Sequence, residues 1–202
     1  MTRAKVQAGG ILRKATDETW RTPELLRIRV RRFFKGREWL DPAAPPDNCM
    51  GATRFYCGPR PSRIPTQGPL FGEPTMEEAN RLDGLTLPWD LPWWCNPPFK
   101  RQWYERVLVQ VLQHPGQLGL LLLPVNRTEE AYAQELLQLV SFRLFVRWPT
   151  TRGRIPFESS IDGVEVNKNP FASWILGFGL VNKRRWLGAF GDLGVSHRLE
   201  VL

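Results

Sequence analysis

The stretch Trp93-Trp94-Cys95-Asn96-Pro97-Pro98-Phe99 carries a bulky apolar run into an amide, two prolines and an aromatic ring. Such a run reads as a strand that stops at a rigid turn. Pro97 and Pro98 fix two φ angles, remove two backbone donors and hold Asn96 extended, so nearby carbonyls face outward without a partner. An exocyclic amine suits those acceptors. The side-chain oxygen of Asn96 and the carbonyl of Pro97 can take its two hydrogens, while Phe99 stacks on the ring that bears it. An ordinary proline-rich strand end with a core Phe has the same four residues, so the surrounding elements must carry the choice.

A second chemical group stands upstream. Glu38-Trp39-Leu40 reads as a short strand that runs into Asp41-Pro42-Ala43-Ala44 and then Asn48. In a doubly wound sheet, ligands sit at the carboxyl ends of the strands, where Asp41 would lie, and the small Ala43 and Ala44 let a ligand come close. Asp-Pro is equally a common way to open a turn.

Positioning these groups takes a sizeable core. The chain has 202 residues, 42% of them hydrophobic, enough for one α/β domain that buries roughly 70% of its unfolded surface. Residues 1–16 form a basic arm, expected to be mobile. Residues 17–180 form the main domain, with a loop-rich insertion over 49–80 that contains Arg54, Arg60 and Arg63, and 181–202 read as a basic C-terminal tail. Thr22 as N-cap, Pro23 at the first helical position and Glu24 in the first turn announce a helix. Its Leu26, Val30, Phe33 and Phe34 lie on one face and its Arg27, Arg31 and Lys35 on another. A further helix is expected from about Lys100 to Gln113, with Trp103, Val107 and Val111 inward. Leu118 to Pro124 is apolar without alternation, as in a strand buried on both faces of a parallel sheet. Thr128 caps another helix to about Val140. Phe142, Leu144 and Val146 then alternate with Arg143, Phe145 and Arg147, and a last strand runs from Ala172 to Gly179.

The formal charge of +8 implies a polyanionic partner, with DNA, RNA and ribosomal surfaces all open at this point. Lys100, Arg101, Arg152, Arg154, Lys183, Arg184 and Arg185 offer phosphate contacts. Cys49, Cys57 and Cys95 form no close pair, and His114 and His197 stand alone, so no metal site and no disulfide framework is expected. The longest apolar run, Leu118 to Val125, is too short to span a bilayer and the start has no signal-type apolar segment. A soluble cytoplasmic protein without a membrane partner is the expectation.

In order along the chain, Trp20-Arg21-Thr22-Pro23, Asp41-Pro42-Ala43-Ala44 with Asn48, Asp83-Gly84-Leu85 with Trp89, Asn96-Pro97-Pro98-Phe99, Leu123-Pro124 and Gly153-Arg154-Ile155-Pro156-Phe157 resemble the phage-type DNA N6-adenine methyltransferase family, the Dam-like enzymes encoded by phages and prophages. The resemblance runs from about Trp20 to Gly179. Asn96 to Phe99 fit the [Asp/Asn/Ser]-Pro-Pro-[Tyr/Phe/Trp] signature of S-adenosylmethionine-dependent methyltransferases that act on planar nitrogens. The family implies a Rossmann-like methyltransferase fold, an α/β architecture with a mostly parallel central sheet and flanking helices. It further implies S-adenosylmethionine as cofactor, double-stranded DNA as partner and the bacterial host cytoplasm as location. Asn96, Pro97, Pro98 and Phe99 would form the catalytic turn. Trp20, Thr22 and Pro23, together with Asp41, Pro42 and Ala43, would line the methionine side of the cofactor, and Asp83 would sit near the cofactor or the target base. The segment after Asp41 lacks a glycine-rich turn, and the stretch from Asn48 to Asp83 is longer than usual for the family. Methylation of cytosine N4, of a guanine amino group in ribosomal RNA or of a protein glutamine uses the same turn, and a non-catalytic DNA-binding protein with this fold is the rival from another class.

Overall fold

The computed structural model describes residues 20–45, 47–57, 83–148, 154–159, 165–166 and 171–198. The expected arm over 1–16, Arg152, and the expected insertion from 58 to 80 with its Arg60 and Arg63 lie outside those residues.

Strand β1 (Trp20–Arg21) leads into helix α1 (Glu24–Phe34), whose Leu26, Val30, Phe33 and Phe34 are buried at the expected helical spacing. The helix begins one residue later than the sequence predicts. Pro23 takes the cap position with ψ 149° and no side-chain cap, so Thr22 is not the N-cap. A distant group serves instead: the backbone N–H of Glu24 donates to Glu158 Oε1 at 2.9 Å. Arg27 grips the same carboxylate at 3.0 and 3.3 Å.

Strands β2 (Leu40–Asp41) and β3 (Arg54–Phe55) follow, so the first part of the expected insertion belongs to the sheet. Then come β4 (Trp93–Cys95), α2 (Arg101–Gln113), β5 (Gly119–Pro124), α3 (Ala131–Leu139) and β6 (Phe142–Val146). A short 3-10 turn, Val125–Arg127, precedes α3, and Thr128 follows it with its hydroxyl donating back to the Val125 carbonyl at 2.7 Å. Strands β7 (Phe157–Ser159) and β8 (Glu165–Val166) pair antiparallel with each other, and β7 also pairs with β1, making a small three-stranded sheet. Strand β9 (Ser173–Phe178), helix α4 (Lys183–Phe190) and β10 (Gly194–Arg198) complete the described chain.

The main sheet has seven strands in the order β10-β6-β9-β5-β4-β2-β3. Burial follows strand alternation and divides the core into two layers. Trp94, Leu120, Leu122, Leu144 and Ile175 face α1 and α4; Trp93, Cys95, Leu121, Leu123 and Leu176 face α2 and α3. This is a mixed α/β architecture with two helices on each face.

A mostly parallel sheet does not form. β3, β2, β4 and β5 are parallel, but β9 runs antiparallel between β5 and β6, and β10 antiparallel to β6. Five of the eight strand pairings among the described residues are antiparallel. The reason is the path of the chain. Helix α3 carries it from the carboxyl end of β5 back to the start of β6, which runs parallel to β5 one strand away. The chain then re-enters at Ser173 opposite Pro124, at the carboxyl edge of β5, so a strand filling that gap can only run downward.

The stretch 181–202 is not a tail over its described part. Lys183 to Arg185 dominate its charge, yet Trp186, Ala189, Phe190 and Leu193 recur at helical spacing and are buried, which docks α4 on the sheet. No helix of the described residues is long and apolar enough to cross a membrane.

Beneath β4 a buried amide network fixes the start of the strand. Gln110, 2% exposed, donates to the Trp89 carbonyl at 2.8 Å and to Gln117 Oε1 at 2.7 Å, and Trp93 Nε1 donates to the same oxygen at 3.1 Å. Buried amides that find partners in this way hold one arrangement of the surrounding segments, because any shift leaves a desolvated polar atom unpaired.

Candidate functional site

Asp41 ends β2, and Asn96 follows the last residue of β4. The two strands are parallel neighbours with Leu40 opposite Trp93. The other neighbour of β2 is β3 and that of β4 is β5, so the order of strands reverses direction between β2 and β4. In an open α/β sheet, a crevice forms at such a reversal, outside the carboxyl ends of the strands. Asp41 and Asn96 stand on its two sides.

Asn96 is half-buried, and its Nδ2 donates to Thr22 Oγ1 at 3.0 Å across 74 residues of sequence. Thr22 is itself 4% exposed. Its hydroxyl is available for this bond because Glu158 has taken over the start of α1. With Nδ2 committed to Thr22, the amide presents Oδ1, which receives no donor from the described residues; nor does the Pro97 carbonyl. The following carbonyls are occupied. Pro98 accepts from the Lys100 N–H at 2.6 Å and Phe99 from Arg127 Nη2 at 3.2 Å. The turn is thus held on both sides and keeps two adjacent acceptors open.

Phe99 stands outside the core. It is 40% exposed and meets the buried Phe157 edge-on, with ring centres 6.3 Å apart. A ring presented this way leaves a face for another planar group to stack on.

Asp41 is only 2% exposed. Its Oδ1 accepts from the Ala43 N–H at 3.1 Å, and no Lys or Arg of the described residues pairs with it. Burial without a counter-charge pushes its carboxyl up to about 7, with the Ala43 bond opposing the rise. Burial likewise pushes the neighbouring Cys95 thiol up, and the Asp41 charge adds to that rise. The folded chain therefore holds a proton on Asp41 that the unfolded chain releases near its ordinary value of 3.8. Stability is full below that value and falls as pH rises toward 7, by an amount on the order of 4 kcal/mol. Asp41→Asn keeps the shape and has no charge to desolvate. Its melting temperature is expected to exceed that of the parent at pH 8 and to match it near pH 4, as read by calorimetric scans across pH. Parallel pH profiles for the two proteins would show that Asp41 is not desolvated in this way.

The Asp83-Gly84-Leu85 turn packs against the turn that closes β2 by a close backbone approach. A Cβ on Gly84 would lie 1.9 Å from the Pro42 carbonyl oxygen, so only glycine lets the Asp83-Gly84-Leu85 turn rest on the Asp41-Pro42 turn. Asp83 Oδ1 accepts from the Leu85 N–H at 2.9 Å, and Trp89 Nε1 locks the Gly84 carbonyl at 2.8 Å. Trp20 lies in β1 opposite Ser159, and Pro23 is buried at the head of α1, so this segment adjoins Asn96 through Thr22. Pro42 is buried and Ala43 half-buried in the turn that closes β2.

The basic residues divide. Lys100 and Arg101 follow the turn directly at the start of α2; both are exposed, and Arg101 pairs with Glu105 at 2.7 Å. Arg154 is exposed at the entry to β7. Lys183, Arg184 and Arg185 lie elsewhere. Phe178, five residues before Lys183, sits opposite Gly119, where β5 begins. That places the cluster at the amino edge of β4 and β5, opposite the edge that bears Asn96.

Two contributors, Arg127 and Glu158, escape sequence reasoning; Thr22 reads as an N-cap and, through the resemblance, as part of the cofactor's methionine side, but not as the partner of Asn96. Gln110 did leave a signal: an amide three residues after Val107 falls on the apolar face of α2. Among the described residues, no three His, Cys, Asp or Glu side chains gather to hold a metal ion.

No family model matches the chain, and no curated protein matches it.

Proposed function

We propose that this protein is an S-adenosylmethionine-dependent methyltransferase acting on the N6 amino group of adenine in double-stranded DNA, with a Rossmann-like arrangement in the parallel part of its sheet. The observation that carries this reading is the Asn96 turn. Thr22 pins one side of the amide, while Asn96 Oδ1 and the Pro97 carbonyl are both open to the two hydrogens of a planar amine, beside the exposed ring of Phe99. The strand reversal that brings Asp41 next to this turn supports the Rossmann-like reading.

The residues fit the cofactor. Asp41, buried with no cationic partner among the described residues, suits the ammonium of a methionine group, whose charge would favour the ionised carboxylate and offset its desolvation, and Pro42, Ala43, Thr22 and Pro23 are the adjoining residues that would hold that end. When bound, S-adenosylmethionine supplies an electrophilic methyl group on sulfur. The amine of adenine is a poor nucleophile because its lone pair is delocalised into the ring. By accepting both hydrogens, Asn96 and Pro97 draw the nitrogen toward the tetrahedral geometry that frees the lone pair, and they stabilise the positive charge that develops there. The nitrogen would form its bond to the methyl carbon as the carbon–sulfur bond breaks to leave a neutral thioether, and would then release one proton to solvent. In a duplex the base must leave the stack, and Phe99 replaces part of the lost stacking. Lys100, Arg101 and Arg154 would contact the phosphates flanking the extruded base. A phage- or prophage-encoded enzyme of this kind works in the bacterial cytoplasm.

The test is transfer of a labelled methyl group to unmethylated duplex DNA, followed by digestion to nucleosides. Label in N6-methyladenine is the expected result. Label in N4-methylcytosine, or on RNA or protein alone, would move the substrate, and no label with any of these acceptors would overturn the reading.

A further inference from the structure

We propose that the protein has a second anion-binding site, for phosphate groups, in a cleft between the end of α1 and the start of α4, on the sheet edge opposite the Asn96 turn. The cleft has a volume of about 460 Å³ and is lined by Arg32, Arg37, Asn182, Arg184, Arg185 and Gly188.

Four guanidinium groups share this space, and no carboxylate of the described residues pairs with any of them. The contrast along α1 is direct. Arg29 meets Asp192 at 2.5 Å, and Arg27 meets Glu158 at 3.0 Å. Neutralisation stops where the cleft begins. Two of the four arginines are held in place by main-chain acceptors: Arg185 Nη1 donates to the Phe33 and Lys35 carbonyls at 3.2 and 3.4 Å, and Arg32 Nη1 to the Gly188 carbonyl at 3.3 Å. Arg37 and Arg184 are exposed and take no acceptor among the described residues. Preset cations beside free ones suit a multivalent oxyanion, because guanidinium forks match phosphate oxygens in pairs.

The helix adds to this. α4 opens with Lys183-Arg184-Arg185 and has no acidic residue in its first turn. Positive charge at a helix N-terminus opposes the macrodipole and weakens the isolated protein, while the same N-terminus attracts an anion. Asn182 Oδ1 accepts the Arg185 N–H at 3.0 Å. The sequence thus bears a local electrostatic cost whose return comes only when an anion is bound. This argument stands on its own and does not rest on the methyl-transfer reading.

The ligand chemistry is a phosphate ester or phosphoanhydride, which a nucleic-acid backbone or a small polyphosphate can supply. Arg37→Gln/Arg184→Gln alters only exposed side chains, and an unchanged melting temperature checks that the fold is intact. Binding is read by calorimetry with inorganic pyrophosphate and by anisotropy with a labelled 20-base-pair duplex over a range of salt. A fall of about tenfold or more in pyrophosphate affinity assigns the cleft to small phosphates. A similar fall for the duplex, with a log–log salt slope shallower by about 2, assigns it to a nucleic-acid backbone. If both probes bind the double variant as they bind the parent, or neither binds the parent, the proposal is overturned.

Discussion

Asn96→Ala is expected to lower single-turnover methyl transfer by about 10²- to 10³-fold or more, the range seen when one preorganised hydrogen-bond partner is removed from a reacting centre. The substitution deletes Oδ1, one of the two acceptors open at the turn, and leaves the Pro97 carbonyl alone to polarise the amine. It also deletes the bond to Thr22, which contributes about 1 kcal/mol net to folding, so the melting temperature should move little. Thr22→Val separates these effects. It keeps Oδ1 but removes the hydroxyl that fixes the amide at 3.0 Å, and an intermediate single-turnover rate at saturating cofactor is expected. Full activity in Asn96→Ala would remove the catalytic assignment of the turn, and a Thr22→Val rate equal to the parent would mean that the bond fixes nothing the reaction needs.

The turn itself was legible because its chemistry is local. Two prolines after an apolar run fix the backbone whatever lies around them, and the run Leu118 to Pro124 proves buried at every position as its lack of polar alternation implies. The spacing of Val107 and Val111, and the alternation in Phe142, Leu144 and Val146, also read correctly because helix and strand periods follow from backbone geometry alone. What failed were choices between partners distant in sequence. Thr22 before Pro23 is a sound N-cap pattern, yet Glu158, 134 residues away, took that task and released the hydroxyl to Asn96. The direction of β9 depends on which gap in the sheet remains when the chain returns, and no local period encodes that. Lys183 to Arg185 drew the eye to charge, while the residues that dock α4, Trp186 and Phe190, lay directly after them.

The ring of Phe99 offers the sharpest division between a base-flipping turn and an ordinary strand end. A buried Phe truncated to Ala costs roughly 3 to 5 kcal/mol of folding stability, and a larger Trp in its place is poorly tolerated. Phe99 is 40% exposed, and its ring contact among the described residues is edge-on with Phe157, so its truncation should change the melting temperature little. Its loss is expected to appear in binding instead. Stacking of one base on an aromatic ring is worth roughly 1 to 3 kcal/mol, a fall of about 5- to 150-fold in the affinity for an extruded adenine. Phe99→Tyr and Phe99→Trp retain a stacking face and should keep much of the activity. Fluorescence of 2-aminopurine at the target position reports extrusion directly: it should rise with the parent and with the Tyr variant, and rise far less with Phe99→Ala at equal DNA occupancy. A large drop in melting temperature with an unaltered fluorescence signal would make Phe99 a core residue. The two open acceptors would then have to recruit their amine without a stacking partner, which favours a substrate already outside a duplex.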